Sequence, residues 1–267
     1  MKVIFAYCQM SLRYVLSYRL AFIIGLAGPV ISLATFFFID RLFHETIAPH
    51  LASFGVNYFA YVLVGVMASG FLGGALGSVS SQITQSQMIG TLESLLITQT
   101  SFHTIVLGMM VWNFLIALFD IILYILAGIF LFGVNFGSVN IFSTVVVLVL
   151  AIISFNCLGL ISASFVLAFK RGDPLSYLMN LGMEILGGVY FPVTVLPGWL
   201  NIISYLFPIT YAIRSLERTV YQGAGLDVVW PDVLVLAGLS LVLLPLSIIC
   251  LNAGLNYARR RGTLVQY

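Results

Sequence analysis

Two carboxylates stand alone in apolar surroundings: Asp120 in FLIALFDIILYIL and Glu184 in LMNLGMEILGG. A carboxylate inside a membrane is costly and normally turns towards a bundle interior. There it can relay protons or contact a substrate, or it can simply be hydrogen-bonded in packing. No Lys or Arg lies at comparable depth to name a partner, so both readings stand. The other reactive residues exclude more than they offer. The only lysines are Lys2 and Lys170, and neither follows a glycine. A phosphate-cradling G-x-x-x-x-G-K-[ST] loop is therefore absent. His44, His50 and His103 form no H-E-x-x-H pair. Cys8, Cys157 and Cys250 lie far apart in apolar stretches, as buried thiols do, without metal-ligand spacing. No G-x-S-x-G and no dinucleotide fingerprint occur. A self-contained ATPase, zinc protease or serine hydrolase is excluded on these grounds, and no cofactor or metal site is expected.

The most unusual stretch is the uncharged run between Glu184 and Arg214, EILGGVYFPVTVLPGWLNIISYLFPITYAIR. It begins like a membrane helix and is broken by Pro192, Pro197-Gly198 and Pro208. Proline lacks an amide donor and clashes with the preceding turn, so one helix cannot run through all three breaks. Yet the run stays apolar and aromatic to its end. Non-helical backbone at membrane depth survives only where protein or a water-filled cavity satisfies it. Residues 192–208 therefore read as a re-entrant segment, an arrangement that accompanies translocation pathways. Trp199, Tyr205, Tyr211 and Trp230 lie in and around it, as interface anchors by default or as the lining of a lipid-like substrate path.

The elements that position these residues follow from composition. The 267 residues are 61% hydrophobic and only 7% charged, with a mean hydropathy of +1.11. So few charges cannot cover a soluble globule, for which about 25% is usual. The fold class is an all-α integral membrane protein, a single transmembrane domain over 1–267. The net charge of +2 argues against nucleic acid as a partner. No small-residue cleavage site follows Lys2 to Ser17, so no cleaved signal peptide is expected. A crossing helix needs roughly 20 apolar residues. Six transmembrane helices are predicted, near 20–39, 58–78, 102–132, 141–169, 175–192 and 233–257. Residues 133–137 form the turn between the third and fourth.

Six crossings place both termini on one side. Lys2, Arg13, Arg19, Lys170, Arg171, Arg259, Arg260 and Arg261 all fall there. The other side carries Arg41, Arg214 and Arg218, offset by Asp40, Glu45, Glu217, Asp227 and Asp232. The positive-inside rule makes the first side cytoplasmic. Residues 1–18 are too polar to cross. Lys2, Ala6, Gln9, Arg13 and Ser17 share one face, which suits an amphipathic helix lying in the interface against lipid headgroups. Between the second and third helices, Gly90 ends one helix and Thr91 can cap a new one, with Glu93 in its first turn. This segment, 90–98, reads equally as a docking helix or a connector. Gly70, Gly73, Gly74 and Gly77 make two overlapping G-x-x-x-G matches, a sign of close helix packing.

Three stretches resemble one family. Gly90-Thr-Leu-Glu93 with Leu95-Leu96 is similar to the coupling segment of ABC-2-type ABC transporter permeases. Phe169-Lys-Arg-Gly-Asp-Pro174 follows the fourth helix as it does there. Gly188-Val-Tyr-Phe-Pro192, Leu196-Pro-Gly-Trp199 and Pro208 to Arg214 resemble the family's fifth helix and outer loop. The chain departs at Gln99-Thr100, where the family often has proline. The resemblance implies the membrane subunit of an exporter, a dimer with a second copy of the permease, in the inner (cytoplasmic) membrane. It implies a separate ABC ATPase subunit that binds ATP and Mg. Thr91, Leu92, Glu93, Leu95 and Leu96 would couple to that ATPase. Pro192, Pro197, Gly198, Trp199, Pro208 and Arg214 would form an outer cap. A secondary transporter using Asp120 and Glu184, an enzyme acting on lipid, and a pathway-free scaffold are the rival classes. No clustered polar site supports the enzyme, and no inverted repeat supports the secondary transporter.

Overall fold

Helix boundaries follow local capping chemistry throughout the chain. A computed structural model describes residues 2–51, 57–90, 100–169 and 173–261, and among these no strand occurs. The helices are α1 (Lys2–Ser17), α2 (Arg19–Leu51), α3 (Tyr58–Ile89), α4 (Phe102–Phe130), α5 (Ile141–Phe169), α6 (Pro174–Leu186), α7 (Gly198–Ser204), α8 (Pro208–Tyr221) and α9 (Leu226–Arg261). A short 3₁₀ turn, Val193–Val195, lies between α6 and α7. Ser101 caps α4 by accepting from the Thr104 amide at 3.3 Å. Asn140 caps α5 by accepting from the Ser143 amide at 3.1 Å. Gly90 ends α3 in the left-handed conformation, φ 76°. Each cap satisfies an amide or carbonyl that the helix itself cannot.

Among the described residues, four helices are long and apolar enough to cross a membrane: Tyr58–Ile89, Phe102–Phe130, Ile141–Phe169 and Leu226–Ala258. They match the second, third, fourth and sixth expected crossings. The fourth coincides with its expected bounds. The second runs 11 residues further, to Ile89 rather than residue 78. The sixth begins before Pro231 and continues through Pro245. α2 covers the first expected crossing with 33 residues.

The long helices alternate in direction. At one end, Phe37 of α2 packs against Phe59 of α3 and Phe132 beyond α4, with ring centroids at 5.3 and 5.1 Å. At the other end, Val79, Ile83, Phe102, Leu167, Leu255 and Tyr7 share one cluster. α1 and the end of α9 thus meet at the same end of the bundle. The central helices approach closely where glycine permits it. A Cβ on Gly159 of α5 would sit 2.7 Å from the Ala75 and Leu76 carbonyl oxygens of α3. One on Gly254 of α9 would sit 2.6 Å from the Ser164 carbonyl of α5. The G-x-x-x-G glycines behave differently. Gly73 meets the Asn180 side chain, but around Gly70 and Gly77 nothing lies within 4 Å. Their face is not packed within the described residues of this chain.

The fifth element departs most from expectation. α6 has 13 residues, about 20 Å of helix at 1.5 Å per residue. It stops at Gly187, not at Pro192. Gly188 turns the chain with φ 86°, a conformation glycine adopts at no steric cost. The prolines do not break a helix; they begin elements. Pro192 precedes the 3₁₀ turn, Pro197 precedes α7, and Pro208 is in the first turn of α8. Such placement is where proline's missing amide costs nothing.

Candidate functional site

The turn after α6 is held by α3 and α8. The Tyr61 hydroxyl donates to the Gly188 carbonyl at 2.7 Å. The Val189 carbonyl lies directly against Gly65, where any side chain would collide with it. Ile209 of α8 packs on Gly187, and the Phe207 ring lies 3.4 Å from where a Cβ of Gly182 would stand. Phe207 therefore sits beside the interior of α6. From there α8 runs back to the end that holds the start of α3. The Tyr221 hydroxyl donates to the Ala60 carbonyl at 2.8 Å, and the Asn140 amide donates to the Thr219 carbonyl at 2.9 Å. The 193–221 stretch thus comes beside α6 at Phe207 and returns through α8 to the end that holds the start of α3.

Of the expected cap residues, Arg214 carries the clearest chemistry. Its guanidinium pairs with Asp232 of α9, with Nε donating to Oδ2 at 3.0 Å and a second nitrogen donating to Oδ1. Ser215 also donates to Asp232. The Tyr205 and Tyr211 rings flank the guanidinium at 5.9 and 5.5 Å. This pair ties α8 to α9. Pro208 is buried, whereas Trp199 is 66% exposed. Glu217, counted by charge to the outer side, lies on α8, 3% exposed, and its Oε1 has no hydrogen-bond partner among the described residues. It lines a small cavity of about 60 Å³ with Tyr61, Gly188, Thr210 and Arg214.

Asp120 and Glu184 occupy α4 and α6. Neither forms an ion pair among the described residues. Two tyrosines lie between them: Tyr190 is within electrostatic range of Glu184, and Tyr124 of both Asp120 and Tyr190. Phe36 of α2 stacks on Tyr190 at 5.4 Å. The two carboxylates therefore border one neighbourhood without touching.

At the opposite end of α6, Asp173 gathers three serines from three helices. It accepts from Ser80 of α3, Ser162 of α5 and the Ser176 amide of α6, the last at 2.9 Å. Ser176 in turn donates to Ser162 at 2.9 Å. Burial pushes the carboxyl up, but the hydrogen bonds from Ser162, Ser176 and Ser80 together hold it below the ordinary carboxylate range. Sequence reasoning missed this residue as a site, although Asp before Pro is a helix-start signature. The expected coupling residues Thr91, Leu92, Glu93, Leu95 and Leu96 lie outside the described residues, as do Lys170 and Arg171.

Comparison with known proteins agrees with this arrangement. The profile of the ABC-2 type transporter family matches residues 7–221. The chain is 26% identical over 193 residues to the inner membrane transport permease YadH of Escherichia coli K12, covering 72% of this chain and 73% of that protein. It is 24% identical over 159 residues to the probable multidrug ABC transporter permease YbhR of the same organism, covering 59% of this chain and 42% of that one.

Proposed function

The chain belongs to the ABC-2 type transporter family and is a membrane permease component; from that premise we propose that it is an exporter subunit, dimeric and driven by a separate ATPase. ATP and Mg bind on that partner, consistent with the missing phosphate loop. The protein is a multi-pass component of the inner membrane, with both termini cytoplasmic. α2, α3, α4, α5 and α9 make five crossings. α6 with the 193–221 stretch makes the sixth.

One observation carries this reading. α6 covers about 20 Å of a hydrocarbon layer roughly 30 Å thick, and α7 and α8 return to fill the rest. That geometry supports a re-entrant outer cap, held to α9 through Arg214 and Asp232. Drive comes from the opposite face. In sequence the 90–98 segment connects the end of α3 to the start of α4, and α3 carries Ser80, which donates to the Asp173 cap at the start of α6. A push on this segment reaches α6 through Ser80 and Asp173. Asp120 and Glu184, bordered by Tyr124 and Tyr190, are polar contacts along the pathway between α2, α4 and α6.

The test is coupling. The permease is purified with its ABC ATPase, and ATP turnover is compared with that of the isolated ATPase. Glu93→Ala and Leu95→Asp are expected to uncouple turnover from the permease while leaving its own fold intact. Unchanged assembly and turnover in both variants would refute the assignment of 90–98.

A further inference from the structure

Two grooves meet on the face where the α3 glycines are left unpacked. The first, about 820 Å³, runs between α1 and α4 and is lined by apolar groups, among them Phe5, Leu12, Leu16, Leu115 and Phe119. The second, about 470 Å³, lies between α3 and α4 and is lined by Gly74, Gly77, Ser78, Ser81, Gln82 and Asn113. Trp112 and Ile116 line both, so the two adjoin at these side chains. Both volumes fall in the range of ligand sites, roughly 300–1,000 Å³. Tyr7 of α1 donates to Gln82 of α3 and pins α1 across the grooves.

The chemistry of the two compartments differs sharply. No Asp, Glu, Lys, Arg or His lines either groove among the described residues. The polar one presents a hydrogen-bonding group left unsatisfied among the described residues. Asn113 makes no side-chain hydrogen bond to another described residue, and its Oδ1 stands over Gly74. Polar groups withdrawn from water without partners are costly, and a ligand rich in hydroxyls would supply the missing bonds. A charged head would find no counter-charge and pay its desolvation unaided.

We propose that the joined grooves bind one amphiphile taken from the bilayer, with an uncharged, hydroxyl-rich head such as a glycosyl group. The head lies against Ser81 and Asn113, and the alkyl chain lies between α1 and α4. Glycines at 74 and 77 leave room for the head beside the α3 backbone. This concerns binding alone and does not depend on the ATPase partner.

Trp112, at the junction, reports occupancy. The chain has three tryptophans, so Trp199→Phe with Trp230→Phe leaves Trp112 as the single emitter. The full chain is placed in phosphatidylcholine nanodiscs containing a brominated-chain monoglucosyl lipid or a brominated-chain phosphatidylglycerol. The glucosyl lipid is expected to quench Trp112 at a mole fraction at least about threefold lower than the anionic lipid, since one satisfied hydrogen bond of about 1 kcal/mol is worth about fivefold. Ser81→Leu with Asn113→Leu should abolish the difference. In the unsubstituted background, dodecyl maltoside should relieve the quenching and dodecyl sulfate should not. Equal quenching by both lipids, or equal relief by both detergents, would overturn the site.

Discussion

Replacing Asp173 tests how α6 is anchored. Asp173→Ala removes a helix cap worth about 1 kcal/mol. It also strips the acceptor from the Ser80 and Ser162 hydroxyls, each of which costs about 1–3 kcal/mol when left buried and unpaired. Ser162 retains Ser176 as a neighbour and Ser80 retains the Gly77 carbonyl, and Asp173 is only half-buried, so solvent screens part of the loss. The expected destabilisation is about 2 kcal/mol. Asp173→Asn keeps one acceptor oxygen and should lose about half as much. The sign of the pH dependence follows from the lowered carboxyl. A carboxylate depressed in the folded state contributes stability above its unfolded value of about 3.9. That contribution disappears as pH falls through the folded value. The gap between the native protein and Asp173→Asn should hold steady from pH 8 to about pH 5 and close below about pH 4. Denaturant unfolding in mild detergent, followed by circular dichroism, measures it. A gap under about 0.5 kcal/mol for Asp173→Ala, or one unchanged at pH 3, would refute the reasoning.

Arg214→Ala leaves Asp232, 3% exposed, without its guanidinium, and should cost about 3–5 kcal/mol. Arg214→Met with Asp232→Leu should recover most of this in the same unfolding assay. Glu217→Leu removes an unpartnered buried carboxyl and should leave the thermal midpoint unchanged or raise it, because an apolar replacement carries no desolvation penalty; a clear fall would show that the carboxyl has a stabilising role. Gly159→Val pushes a side chain into the α3 carbonyls and should destabilise by about 1–3 kcal/mol. Gly70→Ala, where nothing lies within 4 Å, should not affect monomer stability; cross-linking would show whether it weakens a dimer.

Much of the helical layout was legible because lipid solvation is a harsh and local rule. The α5 bounds follow from an uncharged stretch between Asn140 and Lys170, and α1 follows from its polar stripe. The interruption at Gly187 was not legible. Proline draws attention as a breaker, but whether it breaks or begins an element depends on which carbonyl lies behind it. Pro208 begins α8, and α9 passes through Pro231 and Pro245. The burial of Glu217 was not legible because charge counting treats every carboxylate as solvated. The apolar face it shares with Ile213, Leu216 and Val220 was the available signal. The Ser80–Asp173 and Arg214–Asp232 contacts join residues that sequence alone does not relate. Periodicity places residues on faces but does not say which faces meet.

The central claim is that a cap over an interrupted crossing faces outward, opposite the surface on which the ATPase acts. It is tested most directly by sided cysteine labelling. Cys8, Cys157 and Cys250 are replaced by serine, and Trp199→Cys or Met88→Cys is introduced at an exposed position. A membrane-impermeant maleimide added to intact spheroplasts should label Trp199→Cys and spare Met88→Cys, which should react only in inverted vesicles. Labelling of both positions from the same side would contradict the account.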